Sequence, residues 1–164
     1  MNLVYDRTAE DVERALALAK KAEAGTLTDT EKTEWLAGMK GCYNAADMNR
    51  VEAAVQTLAA ELNAAGYTVE TIPQSFAETD IIRLSQWRQY LANVQALRDA
   101  YYTLAETGQL PGAEDRLDYI GANTVEKVLA DIDLLIGWMK SSYRRCGTFQ
   151  AGNNAAHLPL KGSA

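Results

Sequence analysis

The residues of this sequence that could do chemistry are mainly carboxylates, and they do not stand at catalytic spacing. Asp131 and Asp133 lie two positions apart in a segment of helical periodicity, so their side chains point in different directions and cannot share a substrate or metal ion. Glu114, Asp115 and Asp118 fall in a glycine- and proline-containing loop, where solvation accounts for them. A small glycoside hydrolase with two carboxylates across a cleft fits the chain length, but nothing in the sequence selects the pair.

Nucleophilic and metal chemistry lack the residues that they need. The only histidine, His157, lies in a C-terminal segment that reads as a flexible tail, so it is a poor base for a Ser or Cys nucleophile. Cys42 and Cys146 have no partners at metal-ligand spacing, and we favour free thiols over a disulfide between them. The motifs GxGxxG, GxxxxGK(S/T), HExxH and CxxC do not occur. We therefore predict no catalytic, cofactor-binding or metal-binding residue and no enzymatic activity.

Charge is distributed unevenly along the chain. Residues 1–133 carry 12 bases and 22 acids, a net charge of −10, whereas residues 134–164 carry four bases and no acid. An acidic body repels phosphate backbones, so we expect no nucleic-acid binding. The basic residues complement the dipole at the end of a helix, and an alternative is that the asymmetry steers head-to-tail contact between copies.

No membrane association is expected either. No window approaches the roughly 18 apolar residues that a membrane span requires. The N-terminal MNLVYDRT has neither a charged leader region nor an apolar run, which indicates a soluble protein made in the cytoplasm.

The sequence predicts helices, because capping residues precede apolar positions that recur every three or four residues. These helices position the residues discussed above. The predicted helices are a first from Thr8 to Gly25, a short second from Thr28 to about Gly41, a third from Asn44 to Gly66, a fourth from about Asp80 to Ala105, and a fifth from Asn123 to about Tyr143. The three long helices share an apolar seam that predicts an all-α bundle with an extended N-terminus and a flexible C-terminal tail. Trp87 and Trp138 are expected in the core.

The predicted organisation has four parts. Residues 1–66 form an N-terminal helical segment, residues 67–79 an extended linker, residues 80–146 a helical pair that completes the bundle, and residues 147–164 the tail. A shift of 74 positions aligns Asn49 with Asn123, Glu52 with Glu126, and the apolar seam of the third helix with that of the fifth. This indicates either an internal duplication or the heptad-like phase that any two bundle helices share, and we favour the second.

Three stretches resemble a family of structural proteins encoded in the tail modules of phages and prophages of Gram-positive hosts. They are NLVYDRTAEDV at residues 2–12, WLAGMKGCYNAADMNRVEAAVQTLAAELNAAGY at 35–67, and WRQYLANVQALRDAYY at 87–102. The residues that match the family pattern are Tyr5-Asp6-Arg7-Thr8, Tyr43-Asn44, Asp47, Asn49-Arg50-Val51-Glu52 and Asn93-Val94. The family usually carries an acidic YSGE-like repeat after the last helix, whereas here Tyr143 leads into RRCGTFQAGNN.

The resemblance implies a non-enzymatic structural or adaptor subunit of a phage tail, baseplate or related tail-like particle. Its partners would be other copies of itself and neighbouring particle proteins, and it would reside in the virion or particle after assembly in the host cytoplasm. The alternative is a phage-encoded intracellular binding module, such as an assembly chaperone or a regulator of a host protein.

Candidate partner-binding residues lie at both ends of the chain and off the apolar seams. They are Leu3, Val4, Tyr5, Tyr102, Tyr143, Arg144, Arg145 and Phe149. Arg50 and Glu52 are expected to fix helix junctions, with Arg50 pairing Asp47 or reaching Asp6.

Overall fold

The computed structural model describes residues 1–146, with side chains for residues 1–142. The helices are α1 (Ala9–Glu23), α2 (Asp29–Leu36), α3 (Ala45–Ala64), α4 (Leu84–Ala100) and α5 (Tyr119–Cys146). This confirms the predicted all-α bundle of five helices, three of them long, and there is no strand within residues 1–146. The predicted tail, residues 147–164, lies outside the described residues.

The hydrophobic core lies between α3, α4 and α5. Its fully buried side chains sit on the predicted seams and include Val51, Val55, Leu58, Leu62, Val94, Leu97, Val125, Leu129, Ile132 and Ile136. The predicted segments 1–66 and 80–146 therefore contribute to one common core.

The three core helices run parallel. Arg50 near the start of α3 pairs with Glu126 near the start of α5, and Glu61 near the end of α3 pairs with Lys140 towards the end of α5. The ring of Tyr101, directly after α4, packs on the ring of Tyr67, which follows α3. The ends of α3 and α4 therefore lie together, and the two helices are parallel.

Parallel neighbours require connections that return the chain to the starting end of the bundle. The 17-residue α4 is about 25 Å long, a distance that roughly eight extended residues cover. Residues 65–83 and 101–118 provide these returns. We call residues 1–7 the N-terminal strap, residues 67–76 the α3–α4 strap, and residues 103–113 the α4–α5 strap.

Each strap lies between two core helices. Asn49 of α3 and Asn93 of α4 both bind the α3–α4 strap. Thr107 of the α4–α5 strap donates to Asp131 of α5 at 2.6 Å, and the carbonyl of Gly108 accepts from α4. The N-terminal strap binds α5 and α3. The bundle therefore has one extended segment in each of its three helix–helix grooves.

The first two helices form an antiparallel hairpin. Arg14 pairs with Glu34 and Lys21 with Glu31, which brings the end of α1 to the start of α2. Capping boxes at Thr8 and Thr28 begin the two helices as predicted. The hairpin leaves Leu36 84% exposed.

Four helix boundaries differ clearly from the prediction: the starts of α4 and α5, the end of α2, and the end of α4, which is at Ala100 and not Ala105. At the two starts, local turns compete for the capping groups. The Asp80 carboxylate accepts from the backbone of Ala77 and closes a turn, so α4 begins at Leu84. The Asp118 carboxylate accepts from the amide of Gly121, so α5 begins four residues before Asn123. The short α2 ends at Leu36, before Gly38, whose φ of +86° takes the chain out of the helix.

Trp138 was placed in the core by its spacing, and that prediction is wrong. Its side chain is 55% exposed, because α5 buries the face that carries Ile132 and Ile136 and leaves Trp138 outside. Trp87 does pack against the core, stacked on the ring of Tyr90 at 5.2 Å.

Candidate functional site

The densest polar arrangement lies where the N-terminal strap meets the starting ends of α3 and α5. Arg7, contributed by the strap, is 4% exposed, and Glu126 on α5 is fully buried. Asp47 and the partly exposed Arg50 on α3 complete an ionic cluster of these four residues. Asn44 begins α3 and Asp47 occupies its first turn, in a capping box that orients the Asp47 carboxylate.

The ionic cluster holds two guanidinium groups against two carboxylates. Arg7 contacts Asp47 at 3.0 Å and Glu126 at 2.8 Å, and Arg50 contacts the same two carboxylates at 2.5 and 2.8 Å. Burial lowers the pKa of Arg50, but hydrogen bonds to Glu126 and Asp47 raise it by more than burial lowers it. The pKa therefore lies above its ordinary value. Because positive and negative charges balance, the cluster tolerates a burial that an unpaired charge would not.

The same side chains fix the backbone of the strap. The amide of Val4 donates to Glu126 at 2.6 Å, and the Arg7 guanidinium donates to the carbonyl of Val4 at 2.5 Å and to that of Lys40 at 3.1 Å. Asn123 accepts from the Arg7 amide at 3.0 Å and donates to the Arg7 carbonyl at 2.8 Å. The strap is thus bound through main-chain groups as well as through charge.

A cavity of ≈ 540 Å³ opens beside the ionic cluster and is lined by Asp47, Arg50, Lys40 and Asp6, among others. Lys40 contacts Asp6 at 2.9 Å and Asp11 at 3.7 Å, so its charge is already engaged. No buried side-chain N or O atom of the described residues lacks a hydrogen-bond partner. The geometry therefore suits the fixing of a strap.

A second polar site binds the α3–α4 strap. Asn93, 1% exposed, accepts from the amide of Ile72 at 3.0 Å, donates to its carbonyl at 2.8 Å, and also donates to the carboxylate of Glu52. Asn49 makes the same two-way contact with the backbone of Phe76. Glu52 is 2% exposed and has no cationic partner among the described residues, and burial raises the pKa of its carboxyl above the ordinary 4.5.

The raised pKa of Glu52 predicts a pH effect that Glu52→Gln removes. Above pH 4.5 and up to the raised value, the folded state binds more protons than the unfolded state, so the free energy of unfolding falls as the pH rises. We expect Glu52→Gln to be more stable than wild type at pH 7 and to lose that advantage near pH 4.5, as measured by urea unfolding across this range. The control, Glu70→Gln, changes an exposed residue and should track wild type. Parallel pH profiles for Glu52→Gln and wild type would contradict the prediction.

The residues paired by the 74-position shift make equivalent hydrogen bonds to the straps. Asn49 and Asn123 each bind one strap residue through both its amide and its carbonyl. About one helical turn after each asparagine, a glutamate accepts a hydrogen bond from another strap amide. Glu52 accepts from Gln74 at 3.5 Å, and Glu126 accepts from Val4 at 2.6 Å. The similarity of the two helices therefore extends beyond the apolar phase to the way in which each binds a strap.

The predicted partner-binding residues are placed very differently. Leu3 packs against the core, and both backbone polar groups of Val4 are bound within the chain. Tyr5 is 46% exposed, with Lys127 over its ring, and Tyr102 is 84% exposed. Tyr143, Arg144 and Arg145 lie in the last two turns of α5, and Phe149 lies outside the described residues.

The remaining chemical candidates have local partners. Asp131 is bound by Thr107 and Lys127, away from Asp133. In the loop before α5, Glu114 forms an ion pair with Arg88. Asp115 accepts from the amide of Gly112, and Asp118 accepts from that of Gly121. Within residues 1–146 there is no group of three potential metal ligands, and no described helix is long and apolar enough to cross a membrane. Cys42 is a free thiol whose pKa burial raises; His157 lies outside the described residues.

Sequence reasoning missed the partner of Arg7 and the role of the asparagines. Arg50 does pair with Asp47 as predicted, but Asp6 is bound by Lys40 instead. The sequence predicts Asn123 at the start of the fifth helix, and the shift that aligns it with Asn49 is the one signal of a shared strap-binding role.

Comparisons of the chain with protein families, with curated proteins and with solved structures found no match.

Proposed function

We propose that this chain is a non-enzymatic structural or adaptor subunit of a phage tail, baseplate or related tail-like particle, acting through protein–protein assembly. The resemblance of residues 2–12, 35–67 and 87–102 to phage tail-module proteins is the starting point. The observation that carries the proposal is that the polar residues of those stretches are used inside the fold.

The resemblance rests on residues that bind the straps or cap the helices. Arg7, Asp47 and Arg50 belong to the ionic cluster, and Asn49 and Asn93 bind the α3–α4 strap. Side chains that are engaged in this way support a shared scaffold, because they bring the extended segments and the parallel helices together. They offer no nucleophile or open acid–base pair.

The exterior of the scaffold is where partners would bind. Several large apolar side chains are exposed in different regions: Leu36, Ile72, Ile81, Tyr102 and Trp138. An assembly subunit needs surfaces towards more than one neighbour, and exposed apolar and aromatic side chains are typical of such contacts. Copies of the chain itself and neighbouring particle proteins are the partners that we propose.

Co-purification with particles tests the proposal. Tail-like particles from a host that encodes this chain would be purified on a density gradient, treated with high salt, and probed for the chain by mass spectrometry. We expect a fixed ratio of the chain to other particle proteins across the gradient peak. A chain found only in the particle-free lysate would overturn the proposal in favour of an intracellular binding module. Clearing of a peptidoglycan suspension by the purified chain would instead indicate a hydrolase.

A further inference from the structure

The outer face of α5 carries exposed apolar side chains beyond the part covered by the N-terminal strap. Leu134 is 44% and Trp138 is 55% exposed. Leu134 also lines a cavity of ≈ 370 Å³ together with Met1, Leu3 and Tyr5 of the strap. Lys127, Asp131 and Asp133 line the same cavity, so the apolar side chains of the strap and of α5 meet there beside charged residues.

The positions on this face follow a second heptad-like seam. Ala130, Leu134, Gly137 and Ser141 are spaced by four, three and four residues, on the side of α5 away from the buried Ile132 and Ile136. A Cβ atom built on Gly137 meets nothing within 4 Å, so the centre of the face is open to the approach of another helix. The spacing is that of a coiled-coil seam, with one large apolar side chain, Leu134, among small residues.

Two opposite charges flank this seam at the same heptad position. Asp133 and Lys140 are seven residues apart and therefore lie on the same edge of the face. Asp133 makes no ion pair among the described residues, and the Lys140 side chain is 54% exposed although it contacts Glu61. In an antiparallel helix pair, flanking residues of the same heptad position face each other, so each Asp133 would meet a Lys140. In a parallel pair they would not.

We propose that two copies of this chain pack α5 against α5 in an antiparallel, two-fold symmetric contact, with the axis close to residues 136 and 137. Leu134 of each copy then lies beside Trp138 of the other, and Asp133 of each pairs with Lys140 of the other. The charges of the face are then complementary across the two-fold axis, as in an isologous interface. The inference deepens the proposed function, on which it rests for its biological setting, by naming a second copy as one partner.

The expected strength is moderate. A contact between single helices buries less than the roughly 1,200 Å² of a standard protein interface, which favours a dissociable dimer with a Kd of about micromolar order.

Charge exchange across the two-fold axis provides the test. Asp133→Lys places a lysine opposite Lys140 of the other copy and is expected to weaken dimerisation about tenfold in sedimentation equilibrium at low salt. The double variant D133K/K140E exchanges the two charges and should restore most of the lost affinity. The matched control Glu13→Lys makes the same charge change at an exposed residue of α1, and this variant should dimerise like wild type. Circular dichroism of each variant establishes that the helices are intact.

Two results would overturn the inference. One is a wild-type chain that stays monomeric at roughly 100 µM, well above a micromolar Kd. The other is a dimer to which Asp133→Lys makes no difference. Either result leaves the association with particles to be decided separately, and a dimer that is absent from particles would overturn the proposed function while leaving this contact intact.

Discussion

Replacing Glu126 with alanine is expected to lower the free energy of unfolding by about 3–5 kcal/mol, a large part of the stability of a domain of this size. The substitution removes the carboxylate that binds two guanidinium groups and the amide of Val4. Arg7, 4% exposed, would keep one carboxylate partner, Asp47, which Arg50 shares. Urea unfolding followed by circular dichroism measures the loss.

The effect should be specific to burial. Glu34→Ala removes an exposed carboxylate that also binds an arginine, Arg14, and should change the unfolding midpoint little. Release of the strap gives a second measurement, because trypsin cleaves after Arg7 only when that residue leaves its buried position. We expect Glu126→Ala to be cut there much faster than wild type or Glu34→Ala under native conditions.

A double-mutant cycle separates the pair from its surroundings. Arg7→Ala and Glu126→Ala each leave the cluster with one unbalanced charge, whereas the double variant leaves Asp47 and Arg50 as a balanced pair, so its loss should be clearly smaller than the sum of the single losses. Additive losses would show that the two residues contribute independently and would contradict the cluster as described.

The helices themselves were predictable because their signals are local. Thr8, Thr28 and Asn44 begin helices as their types and spacing indicate, and the seams of α3 and α5 are buried where expected. Trp138 shows what periodicity leaves undetermined. Periodicity tells which residues share a face, but an apolar face wider than the groove that it fills leaves its margin exposed.

The parallel order and the straps were not predictable in the same way. A heptad-like seam fits a parallel and an antiparallel neighbour equally well, so it does not fix direction. The contact of Arg7 with Glu126 joins residues 119 positions apart, and no periodicity reports such a pair. Asn123 illustrates a third obstacle, since an asparagine before a helical run suits a cap and a strap-binding residue alike, and the turn at Asp118 decides between them.

The α3–α4 strap provides the second large expected effect. Asn93→Ala should lower the free energy of unfolding by about 2–4 kcal/mol, because it leaves a buried carboxylate and two backbone groups without their partners. The carboxylate is that of Glu52, whose remaining contact is a long one of 3.5 Å from the amide of Gln74. The backbone groups are the amide and carbonyl of Ile72.

Asn63→Ala is the matched control for this loss. Asn63 makes the same two-way contact, with the backbone of Val69, but its side chain lies at the exposed end of α3 and touches no buried carboxylate. Its loss should be about 1 kcal/mol, since water can replace the amide. Combining Asn93→Ala with Glu52→Gln should recover part of the larger loss, because the combination removes the charge left without a donor. Equal losses for Asn63→Ala and Asn93→Ala, or no recovery in the combined variant, would show that the backbone contact dominates over the buried carboxylate.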